Sequence, residues 1–340
     1  MKRRFLIIVS TIIGVILLFL IFYLVNVTLV FSHMVKVGPL GIGVFVGNAI
    51  LIMVVGGISW QIILRAYGHY LPFWDVLKIK TIGFAVSYLT PSMYVGGEPI
   101  RIYLLGKKYG VSMTRIGATV VVDKFLELGA GLFYILMGSI FVLIRYSLPW
   151  QLFVILVFIN AALVGVMVLL LVGFVWRTRP FSTVVALVGK VKPFKKIVRI
   201  AMPTVLRLER EIYSAFGKYG KKTLRAFFLN LLIGGLVFVK PAIFFYFLNT
   251  LFNLSQLALL FALTHLLLAL QFTPGALGIF EWGEVGIFGL IGVKSERALA
   301  YSLMVRITDL MMVAAAGVIG LHMGVKYFWG RRKNEDMRGF

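Results

Sequence analysis

Residues 90 to 128 read TPSMYVGGEPIRIYLLGKKYGVSMTRIGATVVVDKFLEL, and residues 273 to 310 read TPGALGIFEWGEVGIFGLIGVKSERALAYSLMVRITDL. The second stretch echoes the first. Thr90, Pro91 and Glu98 in one match Thr273, Pro274 and Glu281 in the other, with eight residues from each threonine to its glutamate. A basic-x-x-acidic group follows in both, Lys124 with Glu127 and Arg306 with Asp309. One deletion aligns the copies, so that Gly110-Val111 meets Gly292-Val293 and Arg115 meets Arg297. Polar types recur at matched positions in chain otherwise built for lipid, which marks an internal repeat. Transporters are often built from two related halves with the substrate site where they meet.

The 340 residues are 61% hydrophobic, with a mean hydropathy of +0.99, and several apolar runs exceed the thickness of a bilayer. This excludes an ordinary soluble domain and predicts an all-α polytopic membrane protein, residues 1–340 forming one integral membrane domain. The run from Phe5 to Phe31, behind Lys2, Arg3 and Arg4, is too long for a signal-peptide core and lacks a small-residue cleavage site. It reads as a retained first span. The chain has no cysteine, which excludes disulfides, thiolate catalysis and Cys-ligated metals. His33, His69, His265 and His322 lie in different segments without ligand spacing, so no metal site and no cofactor is expected. The net charge of +23 is concentrated between spans: thirteen Lys and Arg lie from Arg177 to Arg225, against Glu209 and Glu211. Positive charge in loops beside spans marks the cytoplasmic side and attracts anionic lipid, and aromatic stacking platforms for nucleic acid are not apparent there.

Six runs are long enough to cross, at about residues 5–31, 40–64, 117–144, 150–176, 226–250 and 299–328. Residues 76–106 and 256–291 are apolar but broken by Thr-Pro and glycines, and each arm reaches only about mid-membrane at 1.5 Å per residue. Both read as re-entrant hairpins. With Lys2, Arg3 and Arg4 inside, Arg65, Lys78, Lys80, Lys107, Lys108, Arg115, the block 177–225 and Arg331, Arg332 and Lys333 also fall inside. The outer loops then carry only Lys36, Arg145, Lys294, Glu296 and Arg297. The expectation is two inverted-topology repeats, 5–144 and 150–328, in a cell-membrane protein with both termini cytoplasmic. The basic segment 177–225 is expected as amphipathic helices on the inner leaflet.

The ionisable residues inside the apolar segments are the candidate site. Glu98 and Arg101 are three apart and become neighbours on a helical arm; Glu281 and Glu284 share that spacing in the second copy, where an acid replaces the arginine. Pairing of the second-hairpin acids with Arg306 is one reading, and a proton or cation site is another. Asp123, Lys124 and Glu127 occupy two turns, and Arg306 and Asp309 share a face, which favours an interior i, i+3 ion pair. The alternative is that Lys124 or Arg306 grips a phosphate. Lys240, before Pro241 in mid-span, is either a kink-capping or ion-paired lysine or a substrate-facing cation.

The core Gly96-Gly97-Glu98-Pro99-x-Arg101, together with the later Thr273 to Glu281, resembles the two hallmarks of the family named after the transmembrane region of lysylphosphatidylglycerol synthase. The resemblance spans essentially the whole chain. Its motif positions here are Gly96, Gly97, Glu98, Arg101, Pro274, Gly275, Gly278 and Glu281, with Ala276 where the family often has glycine. In the multiple peptide resistance factors this region is a flippase joined to a soluble synthase; the resemblance implies the translocating part without the aminoacyl-transferring one. The expected function is therefore a lipid flippase or scramblase acting on a polar, anionic or phosphate-bearing headgroup, not an enzyme. No Walker A pattern is present to supply ATP hydrolysis. A membrane-embedded enzyme on lipid-linked intermediates and an accessory subunit remain as alternatives, and a homo-oligomer or partner enzyme stays open.

Overall fold

The computed structural model describes residues 2–90, 96–145, 150–191, 195–269 and 273–336, and its secondary structure is entirely helical. The chain opens with α1 (Lys2–Leu24) and α2 (Val27–Lys36), then α3 (Gly38–Ala66), α4 (Phe73–Leu89), α5 (Glu98–Tyr109) and α6 (Met113–Arg145). It continues through α7 (Trp150–Val175), α8 (Pro180–Val188) and α9 (Lys195–Phe216). The last part holds α10 (Gly220–Phe238), α11 (Lys240–Tyr246), α12 (Leu254–Ala269), α13 (Ile279–Gly289) and α14 (Ser295–Asp336). Pro91 of the first repeat motif lies outside the described residues.

Among the described residues four helices are long and apolar enough to cross a membrane: Gly38–Ala66, Val157–Val175, Gly220–Tyr246 and Ser295–Met323. The first apolar run is not the straight span its composition suggested. It bends by 89° between Leu24 and Val27, because the Asn26 side chain accepts from Leu29 N at 3.2 Å and starts a new helix. The bent pair qualifies as a fifth crossing only when its two parts are taken together. The helix α6, by contrast, carries the buried Asp123 in its middle, with Lys124 half-buried and Glu127 exposed one turn on. At Lys240-Pro241 the ring lacks an N–H for the preceding turn, and α10 gives way to α11.

Without a hydrophobic drive between helices in lipid, close packing has to hold the bundle together. The largest core cluster joins Phe45, Phe244, Phe245, Phe288 and Tyr301, from α3, α11, α13 and α14. Phe245 stacks on Phe288 at 5.1 Å between ring centroids, and Tyr301 meets Phe288 edge-on at 5.2 Å. A second cluster stacks Phe125, Phe174 and Phe216 where α6, α7 and α9 converge. Small residues set the spacing elsewhere. A methyl group on Gly138 of α6 would lie 2.4 Å from the Ala258 carbonyl oxygen of α12, so this crossing tolerates no side chain. The outer surface shows Phe19, Ile144, Phe158, Leu169 and Leu321, an apolar coat suited to acyl chains.

The sequence echo has a structural counterpart. α6 begins at Met113 and α14 at Ser295, equivalent positions of the alignment. Just before each, the chain turns through a left-handed glycine, Gly110 at φ +64° and Gly292 at φ +77°. The following amide closes the same loop in both copies: Val111 N donates to Gly106 O, and Val293 N to Phe288 O, each at 3.1 Å. The packing is reciprocal as well, with α4 of the first copy on α14 of the second and α12 of the second on α6 of the first.

Candidate functional site

The first copy builds a cavity of about 270 Å³ among α3, α4, α5, α6 and α10. Lys80, Gly83, Ser87, Glu98, Arg101, Lys124 and Glu127 line it together with apolar Ile52, Met53, Phe84 and Ile233. α4 and α5 meet at two glycines. A methyl group on Gly97 would fall 1.8 Å from the Gly83 carbonyl oxygen, so position 97 admits hydrogen only. Ser87 Oγ accepts from Gly97 N at 2.8 Å and ties the turn to α4. This closeness also sets Arg101 against Gly83, on whose missing side chain its own methylenes rest.

Asp123 of α6 is the acid at the back of the cavity, only 1% exposed. Arg101 Nη2 donates to its Oδ2 at 2.6 Å and Lys80 Nζ to the same oxygen at 3.0 Å. The Arg101 guanidinium also lies over the Trp60 ring at 4.0 Å, and Trp60 Nε1 donates to Thr119 Oγ1. Lys80 Nζ makes a further bond to Gly56 O at 2.9 Å. Two cations on one carboxylate leave the triad with a net positive charge. Lys124 bonds Glu127 at 2.9 Å, the i, i+3 pair along α6. Arg101 is thus held by Asp123 and not by Glu98, although Glu98 is its neighbour on α5. Glu98 Oε2 and Arg101 Nε are buried atoms without a hydrogen-bond partner among the described residues.

The second copy is assembled differently. Glu281 is fully buried; its Oε1 accepts from Arg306 Nε of α14 at 2.7 Å and lies 2.6 Å from Nη2, an ion-pair contact in which Nη2 makes no hydrogen bond among the described residues. Its Oε2 accepts from Gly278 N at 2.8 Å and caps α13. Arg306 Nη1 donates to Tyr88 OH at 2.9 Å and to Gly275 O at 2.6 Å, which joins α4 to the turn before α13. Gly275, at φ +59°, leaves room for this approach, since a methyl group there would meet Tyr88 and Arg306 at 3.0 and 3.2 Å. Thr273 Oγ1 donates to Leu277 O, and Pro274 opens the 3-10 turn that follows. Glu284, 1% exposed, accepts from Thr264 Oγ1 at 2.6 Å. Thr90 caps α4 through a bond from its hydroxyl to Val86 O, and Gly96 sits in the turn before α5.

Several expectations are corrected. Arg306 does not pair with Asp309 one turn away; the nearer and more buried Glu281 takes it, and Asp309 has no ion pair among the described residues. Lys240, for which an ion pair was one of the alternatives, forms none among the described residues. Its ammonium lies 5.2 Å from the centroid of the Phe45 ring, and its charge reaches Glu284 and Asp309 through space. Lys80 is not an inner-loop charge: it stands in mid-helix and faces Asp123. Its signal in the sequence was the spacing of Lys80, Gly83 and Ser87, which puts all three on one face of α4. Tyr88 and Thr264 carry no charge and gave no comparable signal. Among the described residues no group of three or more His, Asp or Glu side chains is placed to hold a metal ion.

A bundle that spans the bilayer several times and gathers opposed charges in its interior defines a polytopic membrane protein of transport type. The chain belongs to the family of the lysylphosphatidylglycerol synthase TM region, whose model matches residues 7–317. That family is a flippase-type transmembrane domain. Among curated proteins the chain is similar to a UPF0104 membrane protein of Methanothermobacter thermautotrophicus, 26% identical over 84% of this chain and 86% of the relative. It is also similar to one of Pyrococcus horikoshii, 19% identical over 78% and 82% of the two chains. A third, from Methanocaldococcus jannaschii, is 31% identical over 26% of each chain. No solved structure matches.

Proposed function

We propose that this protein moves a lipid with a polar, phosphate-bearing headgroup between leaflets, the headgroup passing through the hairpin region while the acyl chains stay in the membrane. The observation that carries this reading is the difference between the two copies at equivalent positions. In the second, the hairpin acid Glu281 grips the helix base Arg306 at 2.6 Å. In the first, the corresponding base Lys124 turns to Glu127, the corresponding acid Glu98 keeps a free oxygen, and a cavity opens. The hairpin acid is joined to the helix base in one half and parted from it in the other, and we read this as the closed and open relation that inverted repeats exchange during alternating access.

The chemistry of the cavity suits a headgroup. Among the described residues its buried unsatisfied atoms are a donor, Arg101 Nε, and an acceptor, Glu98 Oε2. Each costs roughly 1–3 kcal/mol while unpaired. A phosphate oxygen satisfies the first and a headgroup hydroxyl or amine the second. The volume matches on the order of nine waters, room for a headgroup but not for acyl chains.

In this reading α4 with α5 and α12 with α13 are re-entrant hairpins. Their arms are about 25, 18, 24 and 17 Å long, too short for a hydrocarbon core of about 30 Å. The spans are then the bent α1–α2 pair, α3, α6, α7, α10–α11 and α14, with both termini cytoplasmic and the repeats inverted. Headgroup translocation in liposomes tests the function. Wild-type protein accelerates it over protein-free vesicles, and the Glu98→Ala, Glu281→Ala double variant loses most of the gain. Equal rates for the two proteins would count against these roles.

A further inference from the structure

The segment between α7 and α10 holds a second feature that the translocation reading does not use. α7 presents Phe158, Val166 and Leu169 outward, more than half of each exposed, and is followed by the exposed Trp176, a residue type that settles at the membrane surface. Four residues later α8 begins and folds back against α9. A methyl group on Gly189 would lie 2.8 Å from Val198 Cγ1, so the end of α8 sits directly on α9. Between them runs a groove of about 840 Å³. Lys190, Lys195 and Arg199 line it together with apolar Ala186, Met202 and Leu206. Lys195, Arg199, Met202 and Leu206 follow one another at spacings of three or four, a single stripe along α9.

The acids of this segment do not neutralise the groove. Glu209 is fully buried, where its Oε1 accepts from Phe181 N and Ser182 N at 2.5 and 2.9 Å and caps α8. Glu211 faces Arg115 of α6 at 3.5 Å. Three cations therefore stand over an apolar floor beside a lipid-facing helix, with no acid among the groove's lining residues.

We infer that this groove is a binding site for an anionic phospholipid of the surrounding bilayer, with the headgroup phosphate on Lys190, Lys195 and Arg199 and an acyl chain along Ala186, Met202 and Leu206. Free phosphate would satisfy the cations but leave the apolar floor exposed, and a neutral lipid would leave the cations without a partner. The site is separate from the hairpin cavity and does not depend on what that cavity carries.

Photo-cross-linking decides it. The full chain is reconstituted in phosphatidylcholine nanodiscs with a trace of phosphatidylglycerol bearing a photoreactive acyl chain, and labelled peptides are mapped by mass spectrometry. Labelling is expected within residues 181–206, reduced at least fivefold by the K190Q/K195Q/R199Q triple variant and retained by the charge-keeping K190R/K195R/R199K variant. The R207Q/R210Q variant, which removes two basic residues of α9 outside the groove, is expected to keep it. Three results would each overturn the assignment: equal labelling by a photoreactive phosphatidylcholine, labelling unaffected by the triple variant, or an equal loss in R207Q/R210Q. Unchanged melting of the triple variant in uncharged detergent separates loss of the site from loss of the fold.

Discussion

Replacing Glu281 by Gln leaves the shape of the second hairpin intact and removes the charge that holds Arg306. The guanidinium side chain is 11% exposed and Glu281 is not exposed at all, so little water is at hand to replace the lost partner. Tyr88 OH and Gly275 O still accept from Nη1, but neither carries a charge. Breaking a buried ion pair on one side costs about 3–5 kcal/mol. If the pair holds this half closed, about 3 kcal/mol of that loss raises the open population on the order of 100-fold, at 1.4 kcal/mol per factor of ten. The chain has no cysteine, so one introduced thiol is an unambiguous reporter. Thr273→Cys marks the closed tip, where Thr273 is fully buried, and Met53→Cys marks the open cavity. A water-soluble thiol reagent should modify position 53 readily and position 273 slowly in an otherwise wild-type chain. In the Glu281→Gln background the rate at 273 should rise by one to two orders of magnitude. Adding Arg306→Met, which removes the stranded charge, should recover much of the lost stability. A destabilised Glu281→Gln protein whose position 273 stays unreactive would refute the gating role and leave the pair a structural one.

Asp123→Asn strands Lys80 and Arg101 together and should destabilise the protein by about 3 kcal/mol or more in detergent unfolding, with partial rescue by Lys80→Met. Gly97→Ala forces a methyl group onto the Gly83 carbonyl and should separate the first hairpin, seen as a stability loss of at least about 1–3 kcal/mol and as lost translocation. His69, in the turn between α3 and α4, has its pKa lowered by burial and then by the Arg115 charge. The folded state therefore prefers the neutral ring, so stability is full above the ordinary value of 6.5 and falls as pH drops below it. Melting followed from pH 7.5 to 5 should show this decline, and His69→Gln should flatten it.

The sequence carried the parts of this arrangement that depend on charge and periodicity. An acid in an apolar run is conspicuous, so Glu98, Glu281 and Arg306 stood out, and the spacing from threonine to glutamate exposed the repeat. Partners could be read only as alternatives, a second-hairpin acid or Asp309 for Arg306, and spacing does not choose between them. Arg306 and Asp309 share a helix face, but Arg306 and Glu281 meet only after α13 folds against α14, a contact across 25 residues of chain. Lys80 was grouped with Lys78 among the inner charges; its spacing with Gly83 and Ser87 places it on one face of α4, and its contact with Asp123 shows that this face is interior. The bend after Leu24 turns on a single capping side chain, Asn26, in an otherwise continuous apolar run. Tyr88 joins the two hairpins through one hydroxyl, which neither composition nor spacing distinguishes from a core tyrosine.

The exchange between the copies is tested most directly at Lys124, whose ammonium has two carboxylates to choose from. A carbodiimide joins a carboxylate to an amine in contact with it, and the product is identified by mass spectrometry. In the wild-type chain the link should run from Lys124 to Glu127. In Glu281→Gln, where the second hairpin is released, the account predicts that the Glu98–Lys124 link appears and the Lys124–Glu127 link declines, the first copy adopting the arrangement now seen in the second. Lys124 linked to Glu127 alone in both proteins would contradict it.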